Sequence, residues 1–142
     1  MKMQLTFTAL LILLLSSCGK DAGVSVDEYI ALNNLTTTEL AEGVHIIIDE
    51  LGNNDRPTIN TKVEVSYEGR LTDGDVFDMQ DNVEISMNGV IQGWRIGLQE
   101  IGVGGKCTLI IPSEAGYGSE GNSSIPGGAT LIFDIELHDV IL

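Results

Sequence analysis

The stretch Lys62-Val63-Glu64-Val65-Ser66-Tyr67-Glu68-Gly69 alternates strictly, with Val63, Val65 and Tyr67 on one face and polar side chains on the other. A period of two puts successive side chains on opposite faces of a pleated strand. The segment therefore predicts a strand with one face buried and one face wet. A sheet wet on one side is characteristically antiparallel, and Asp73-Gly74 just downstream is a hairpin turn signal that agrees. Beyond that turn, Val76-Phe77-Asp78 reads as a short strand, and Val83, Ile85 and Met87 alternate with polar neighbours as another. Upstream, the β-branched run Val44 to Glu50 predicts a strand, separated from Lys62 by the turn chemistry of Leu51 to Thr58. Downstream, Trp94, Leu98 and Ile101 form a short helical stripe that Gly102-Val103-Gly104-Gly105 stops. Cys107 to Ile111 is a strand ended by Pro112, and Ala129 to Leu142 closes the chain with Leu131, Phe133, Ile135 and Leu137 on one face. Val26 to Asn34 predicts a short helical piece, opened by Asp27 and Glu28. Thr36, Thr37 and Thr38 before Glu39 suit a capping box over a single helical turn that Gly43 ends. Between Ser113 and Gly128 lie five glycines and Pro126, a long loop of the kind that usually carries function. The pattern is α+β, an antiparallel sheet with one short core helix.

The composition narrows the function. The chain has 142 residues with 7 Lys+Arg against 21 Asp+Glu, a formal net charge of −14. No basic stripe is available to neutralise phosphates, so no nucleic-acid partner is expected. Two cysteines do not make a disulfide framework. A hydrophobic content of 43% with 20% charged residues is that of a globular domain. Seventeen glycines beside seven aromatics point to a turn-rich fold in which each ring counts.

The first residues read as a leader. Lys2 supplies a basic start, and Leu5 to Leu15 is apolar apart from Thr6 and Thr8. Eleven residues at ~1.5 Å rise do not span a ~30 Å hydrocarbon core, so a secretory signal fits better than a transmembrane helix. Leu15-Ser16-Ser17-Cys18 resembles the lipobox of bacterial lipoproteins. That resemblance implies cleavage after residue 17, a lipid anchor on Cys18, and residence in the bacterial cell envelope. Gly19, in place of an aspartate, leans toward the outer membrane over the inner. The expected organisation is a signal peptide at 1–17, a lipid-anchored tether with a short helical segment at 18–42, and one domain at 43–142.

Several motifs carry no chemistry. Gly116-Tyr117-Gly118-Ser119-Glu120-Gly121 matches the dinucleotide fingerprint in letters, but Pro126 and Gly127-Gly128 follow where that fingerprint needs a helix. Asp73, Asp75, Asp78 and Asp81 do not have calcium-loop spacing and read as solvated turn charges. His45 and His138 lie in separate strands without ligand spacing. No metal or other cofactor is expected. Cys107 reads as a small buried hydrophobe. No nucleophile motif for a hydrolase or transferase is present.

The aromatics of the domain, Tyr67, Phe77, Trp94, Tyr117 and Phe133, sit on five different elements. A plain core would use them, but Trp94 opens a helix and Tyr117 lies in a glycine-rich loop, which are positions for a cup. Val65-Ser66-Tyr67-Glu68-Gly69, Asp73-Gly74, Val76-Phe77-Asp78, Val90-Ile91-Gln92-Gly93-Trp94, Gly97-Leu98, Ile111-Pro112, Ala115-Gly116-Tyr117-Gly118, Ile125-Pro126 and Ala129 to Leu137 together resemble the FKBP-type peptidyl-prolyl isomerases, in family order over about residues 60–142.

The resemblance implies a curved antiparallel sheet wrapped on the short helix. It implies a proline pocket floored by Trp94 and walled by Tyr67, Phe77 and Phe133, with Val83, Val90, Ile91 and Ile125 lining it. Tyr117 would offer its hydroxyl to a substrate carbonyl, Asp78 would be the polar partner beside the pocket, and the Ile91 N–H would bond the peptide. The implied partners are proline-containing polypeptides, with macrolide inhibitors as candidate ligands, met by a monomer. Only Met79-Gln80-Asp81-Asn82 separates Asp78 from Val83, where the family has a longer insertion bearing a basic residue. This shortening favours an alternative, a non-catalytic proline-binding module or chaperone lipoprotein.

Overall fold

The computed structural model describes residues 21–142. The expected leader and the lipidation site Cys18 lie outside the described residues. Among those described, no helix is long and apolar enough to cross a membrane.

Six strands form one sheet, every pairing antiparallel. They are β1 (Thr38–Glu39), β2 (His45–Glu50), β3 (Lys62–Leu71), β4 (Val76–Ser86), β5 (Lys106–Ile111) and β6 (Leu131–Ile141), in the order β1-β2-β5-β6-β3-β4. The alternation that announces β3 also sets its register. Val65, Gly69 and Leu71 stand opposite Leu137, Phe133 and Leu131 of β6. Across β6, Cys107, Leu109 and Ile111 of β5 stand opposite Ile135, Phe133 and Leu131. These rows form one apolar face, and helix α2 (Gln92–Leu98) turns Trp94 and Leu98 onto it. Leu98, Leu109, Leu131 and Leu137 are fully buried there. Each such side chain contributes roughly 1.5–3 kcal/mol relative to leaving it in water.

Part of the opposite face is also covered. Ile110 and Ile132, register partners pointing away from α2, are fully buried as well. A second helix, α1 (Val26–Leu32), lies on this side, with Val26 buried and Tyr29 within hydrogen-bonding reach of Arg70, the residue opposite Ile132. Ser25 caps α1 by accepting the Glu28 N–H at 3.2 Å. The described part of the segment expected at 18–42 as tether and short helix is thus tied to the domain at several points. Val24 donates to the Thr72 hydroxyl, and β1 pairs with β2.

Two local expectations are corrected. Thr38 and Glu39 form β1 rather than a helical turn, and only a 3-10 turn at Ala41–Gly43 follows. The β-branched threonines prefer an extended chain, and the apolar edge of β2 offers them a partner. The two short strands expected at 76–78 and 83–87 are one strand, β4, with Met87 beyond its end. A one-residue bulge joins the two alternations. Val65 faces Val83 but Tyr67 faces Gln80, so β4 carries an extra residue there. Asn82 takes that strain in the left-handed region (φ 48°) and donates its N–H to the Ser66 hydroxyl.

Both histidines have local partners. His45 Nδ1 lies 2.8 Å from the Thr37 hydroxyl and His138 Nε2 lies 2.7 Å from that of Ser66. Burial pushes the Cys107 thiol up to about 12, which fits an inert core residue.

Candidate functional site

The edge of the apolar face between α2, β3, β4 and β6 opens into a cup of about 230 Å³, lined by Tyr67, Asp78, Ile85, Gly89, Val90, Ile91, Trp94, Tyr117 and Phe133. Its rings come from four elements. Tyr67 and Phe133 face inward because β3 and β6 alternate, and Trp94 is on the buried side of α2. Tyr117 stands at the mouth, 38% exposed, on the loop between β5 and β6.

The rings meet edge to face, as aromatic quadrupoles favour. Trp94 lies 5.0 Å from Tyr67 and 5.3 Å from Phe133 between centroids, at 87° and 88°. Phe77 packs on Phe133 at 5.5 Å and 87°. Gly69 makes this closeness feasible, since a Cβ there would lie 2.6 Å from Phe133 Cε1 and 2.7 Å from Phe77 Cζ.

Trp94 is only 3% exposed, and its indole N–H is buried without an acceptor among the described residues. The floor of the cup is therefore apolar in its contacts. The polar groups of the lining are Tyr67, Asp78 and Tyr117. The Tyr67 phenol donates to Asp78 Oδ2 at 2.6 Å. Burial first, and then this carboxylate, push the Tyr67 phenol well above its ordinary range, and burial followed by the charge of Asp78 raises Tyr117. Both phenols therefore hold their protons across neutral pH, and Tyr67 donates its own to Asp78.

The edge of the cup at Gly89 to Ile91 is held by α2. Arg95 donates from Nε to the Val90 carbonyl at 3.1 Å and from a terminal nitrogen to the Asn88 carbonyl at 3.0 Å. These bonds fix the turn that presents Gly89, Val90 and Ile91. The long loop is pinned by its own backbone. Gly118 donates to the Ser113 carbonyl, Gly128 donates to that of Gly118, and the Asn122 side chain accepts from Ser124 and Ile125. Its Gly116 to Gly121 run opens no helix, as expected.

Of the residues expected at the site, Tyr67, Asp78, Val90, Ile91, Trp94, Tyr117 and Phe133 come together around this cup. Three do not line it. Phe77 stands behind Phe133, Val83 is half-buried against the core, and Ile125 is buried under the loop. Two lining residues, Ile85 and Gly89, were missed. Ile85 had a signal, since it shares its face of β4 with Val83. Gly89 contributes open space, with nothing within 4 Å of where a Cβ would be.

Wider hollows lie elsewhere, about 340 Å³ beside α1 and about 320 Å³ on the outer face. The first is bordered by Asp27, Glu39 and Glu114, the second by Asp49, Glu68, Asp81, Asp134 and Glu136. Neither gathers a cluster of rings, so chemistry rather than size selects the cup.

Comparison with known proteins agrees with the geometry. Residues 53–138 match the family described as FKBP-type peptidyl-prolyl cis-trans isomerase. The chain is 42% identical over 95 residues to the FKBP-type peptidyl-prolyl cis-trans isomerase FkpA of Escherichia coli, covering 64% of this chain and 35% of that protein. It is 51% identical over 83 residues to a peptidyl-prolyl cis-trans isomerase of Arabidopsis thaliana, covering 54% of each. The chain thus spans between about a third and about a half of the length of these relatives. The crystal structure of a peptidyl-prolyl cis-trans isomerase from Pseudomonas syringae superposes with a TM-score of 0.76 at 35% identity, covering 82% of this chain and 91% of that one. That of Escherichia coli FkpA gives 0.77 at 35% identity, covering 82% and 57%. By its matched residues and by its fold, this chain belongs to the FKBP-type peptidyl-prolyl cis-trans isomerase family.

Proposed function

We propose that the chain is a peptidyl-prolyl cis-trans isomerase that turns X–Pro bonds of exported polypeptides in the cup on Trp94. The observation that carries this reading is an apolar, ring-lined cavity with Tyr67, Tyr117 and Asp78 as its polar groups. An X–Pro bond is held planar by resonance, with a barrier near ~20 kcal/mol. Twisting the bond removes resonance, so the carbonyl and the nitrogen lose polarity on the way to the transition state. A dry cup destabilises the polar planar amide more than the twisted one, while water favours the planar form. Trp94, Tyr67 and Phe133 hold the proline ring and keep water out. Tyr117 donates its hydroxyl to a substrate carbonyl, and the Ile91 N–H holds the chain. Asp78 orients the Tyr67 phenol through its hydrogen bond. Phe77 supports Phe133 from behind, while Val83 and Ile125 support the walls. No covalent bond forms or breaks, so the reaction needs no nucleophile.

A protease-free assay of cis/trans exchange in an X–Pro peptide tests this. Wild type is expected to accelerate exchange, and Tyr117→Phe to lose roughly tenfold, the worth of one hydrogen bond of about 1.4 kcal/mol. A folded wild type that accelerates nothing would leave a proline-holding module or chaperone. The unbroken β4 favours that second reading, because it brings no side chain beyond Asp78 and Ile85 into the cup.

For its setting, the lipobox at Leu15 to Cys18 supports a lipoprotein of the bacterial envelope, on the outer membrane. A diacylglycerol thioether with a further acyl chain meets the two-chain condition for stable anchoring. Cys18→Ala is expected to shift the protein from the membrane pellet to the soluble fraction. An unchanged partition would refute the anchor.

A further inference from the structure

We propose that the cup selects prolines flanked by a cationic side chain, Lys or Arg, and that Asp78 is the residue that selects them. The inference rests on the isomerase reading and adds a substrate class to it.

Asp78 borders the cup, is exposed at its rim, and has one side-chain partner, the neutral Tyr67 phenol on Oδ2. A hydrogen bond from a phenol spreads the charge but does not cancel it. The cations among the described residues stand elsewhere. Lys62 pairs with Glu84, Lys106 with Glu136, and Arg70 with Asp134 and Glu68. Arg95, on the helix beneath the cup, is turned onto two backbone carbonyls. Arg56 lines a separate hollow with Asp55 and Asp139. The strand leaving Asp78 brings Met79, Gln80, Asp81 and Asn82, with no cation among them. The carboxylate therefore faces an apolar cavity with its charge uncompensated among the described residues. Both Tyr67 and Tyr117 feel that charge in addition to their burial.

A bound polypeptide can supply the missing counter-charge. Lysine and arginine lay an apolar stem along a hydrophobic wall and hold the charge at its end, which matches a ring-lined cup with a carboxylate at the rim. Beside low-dielectric walls the attraction is less screened than on an open surface. A glutamate in the same place is repelled.

The test measures kcat/KM by protease-free exchange for peptides with Lys, Leu or Glu next to the proline, on either side. At low salt we expect the order Lys, Leu, Glu, with Lys over Glu by about tenfold, or about 1.4 kcal/mol. The ratio should shrink at high ionic strength, where the screening length falls to about 3 Å. In Asp78→Asn it should approach one. If that variant turns over too slowly, its binding of the same peptides, followed by NMR titration, reads the same ratio. Glu50→Gln removes one charge far from the cup and should leave the ratio unchanged, which separates Asp78 from the overall negative field. Equal rates for the three peptides in wild type overturn the inference, as does a ratio that survives Asp78→Asn or falls equally in Glu50→Gln. Either result leaves the isomerase reading standing. That reading fails only if wild type accelerates none of the peptides.

Discussion

Trp94→Ala is expected to bring X–Pro exchange back close to the uncatalysed rate, and to cost about 3–5 kcal/mol of stability as well. The two effects share one cause. Trp94 is 3% exposed and is touched edge-on by Tyr67 and Phe133, so its removal empties the floor of the cup and unseats two walls. In the proposed mechanism, water then enters the space that seats the twisted amide, and the advantage of the dry site over solvent is lost. A destabilised protein could lose activity only by unfolding, so Trp94→Phe is the companion. It keeps an aromatic face and removes the indole N–H, which is buried without an acceptor among the described residues. Deleting an unsatisfied donor offsets part of the packing loss, because such a group carries a penalty of about 1–3 kcal/mol. Trp94→Phe should therefore unfold at a denaturant midpoint between wild type and Trp94→Ala, and keep a measurable part of the turnover. A folded Trp94→Ala with wild-type kcat/KM would show that the chemistry occurs elsewhere.

The parts of this molecule that were legible in the sequence are those governed by local period. Val63, Val65 and Tyr67 announced β3, and Leu131 to Leu137 announced β6, because a half-buried strand must alternate. Trp94 at a helix start and Tyr117 in a loop hinted at a cup, and the family resemblance supplied the residues expected to line it. What escaped depends on contacts distant in sequence. The unity of β4 rests on a bulge at Asn82 that is visible only against Tyr67 and Val65 of the partner strand. The burial of Ile110 and Ile132 on the face away from α2 also escaped, because within apolar strands they looked like ordinary residues. Ile125 was expected at the pocket wall, yet the Asn122 side chain ties its N–H into the loop and turns it under the surface. Phe77 packs edge to face on Phe133 over Gly69 and is not among the residues lining the cup.

Gly93→Ala is expected to destabilise the fold by about 2 kcal/mol, and Gly93→Val by enough to prevent folding at ordinary temperature. The sign is the point, because alanine in place of a helical glycine is worth about 1 kcal/mol in the other direction. On an exposed helix that gain would win. Here a Cβ on Gly93 would lie 2.6 Å from Ile111 Cγ2 and 2.7 Å from its Cγ1, atoms near the root of a fully buried, β-branched side chain. Such a side chain has one or two rotamers and sits on β5, which is hydrogen-bonded on both sides, so neither it nor the strand can move aside. The whole of α2 must lift instead, and it carries Trp94, the next residue. Turnover should then fall in parallel with stability, measured in the same exchange assay and in denaturant unfolding. Gly97→Ala is the graded control. Its Cβ would meet the two terminal methyls of Leu109 at 2.4 and 2.6 Å, the far end of an unbranched-at-Cβ side chain that can turn in place. Its loss should be smaller than that of Gly93→Ala. A Gly93→Ala protein as stable as wild type would mean that α2 does not depend on this close approach. The high glycine content, which on its own suggests turns, would then be turn chemistry alone, whereas the present contacts give two of the seventeen the task of seating the helix that floors the cup.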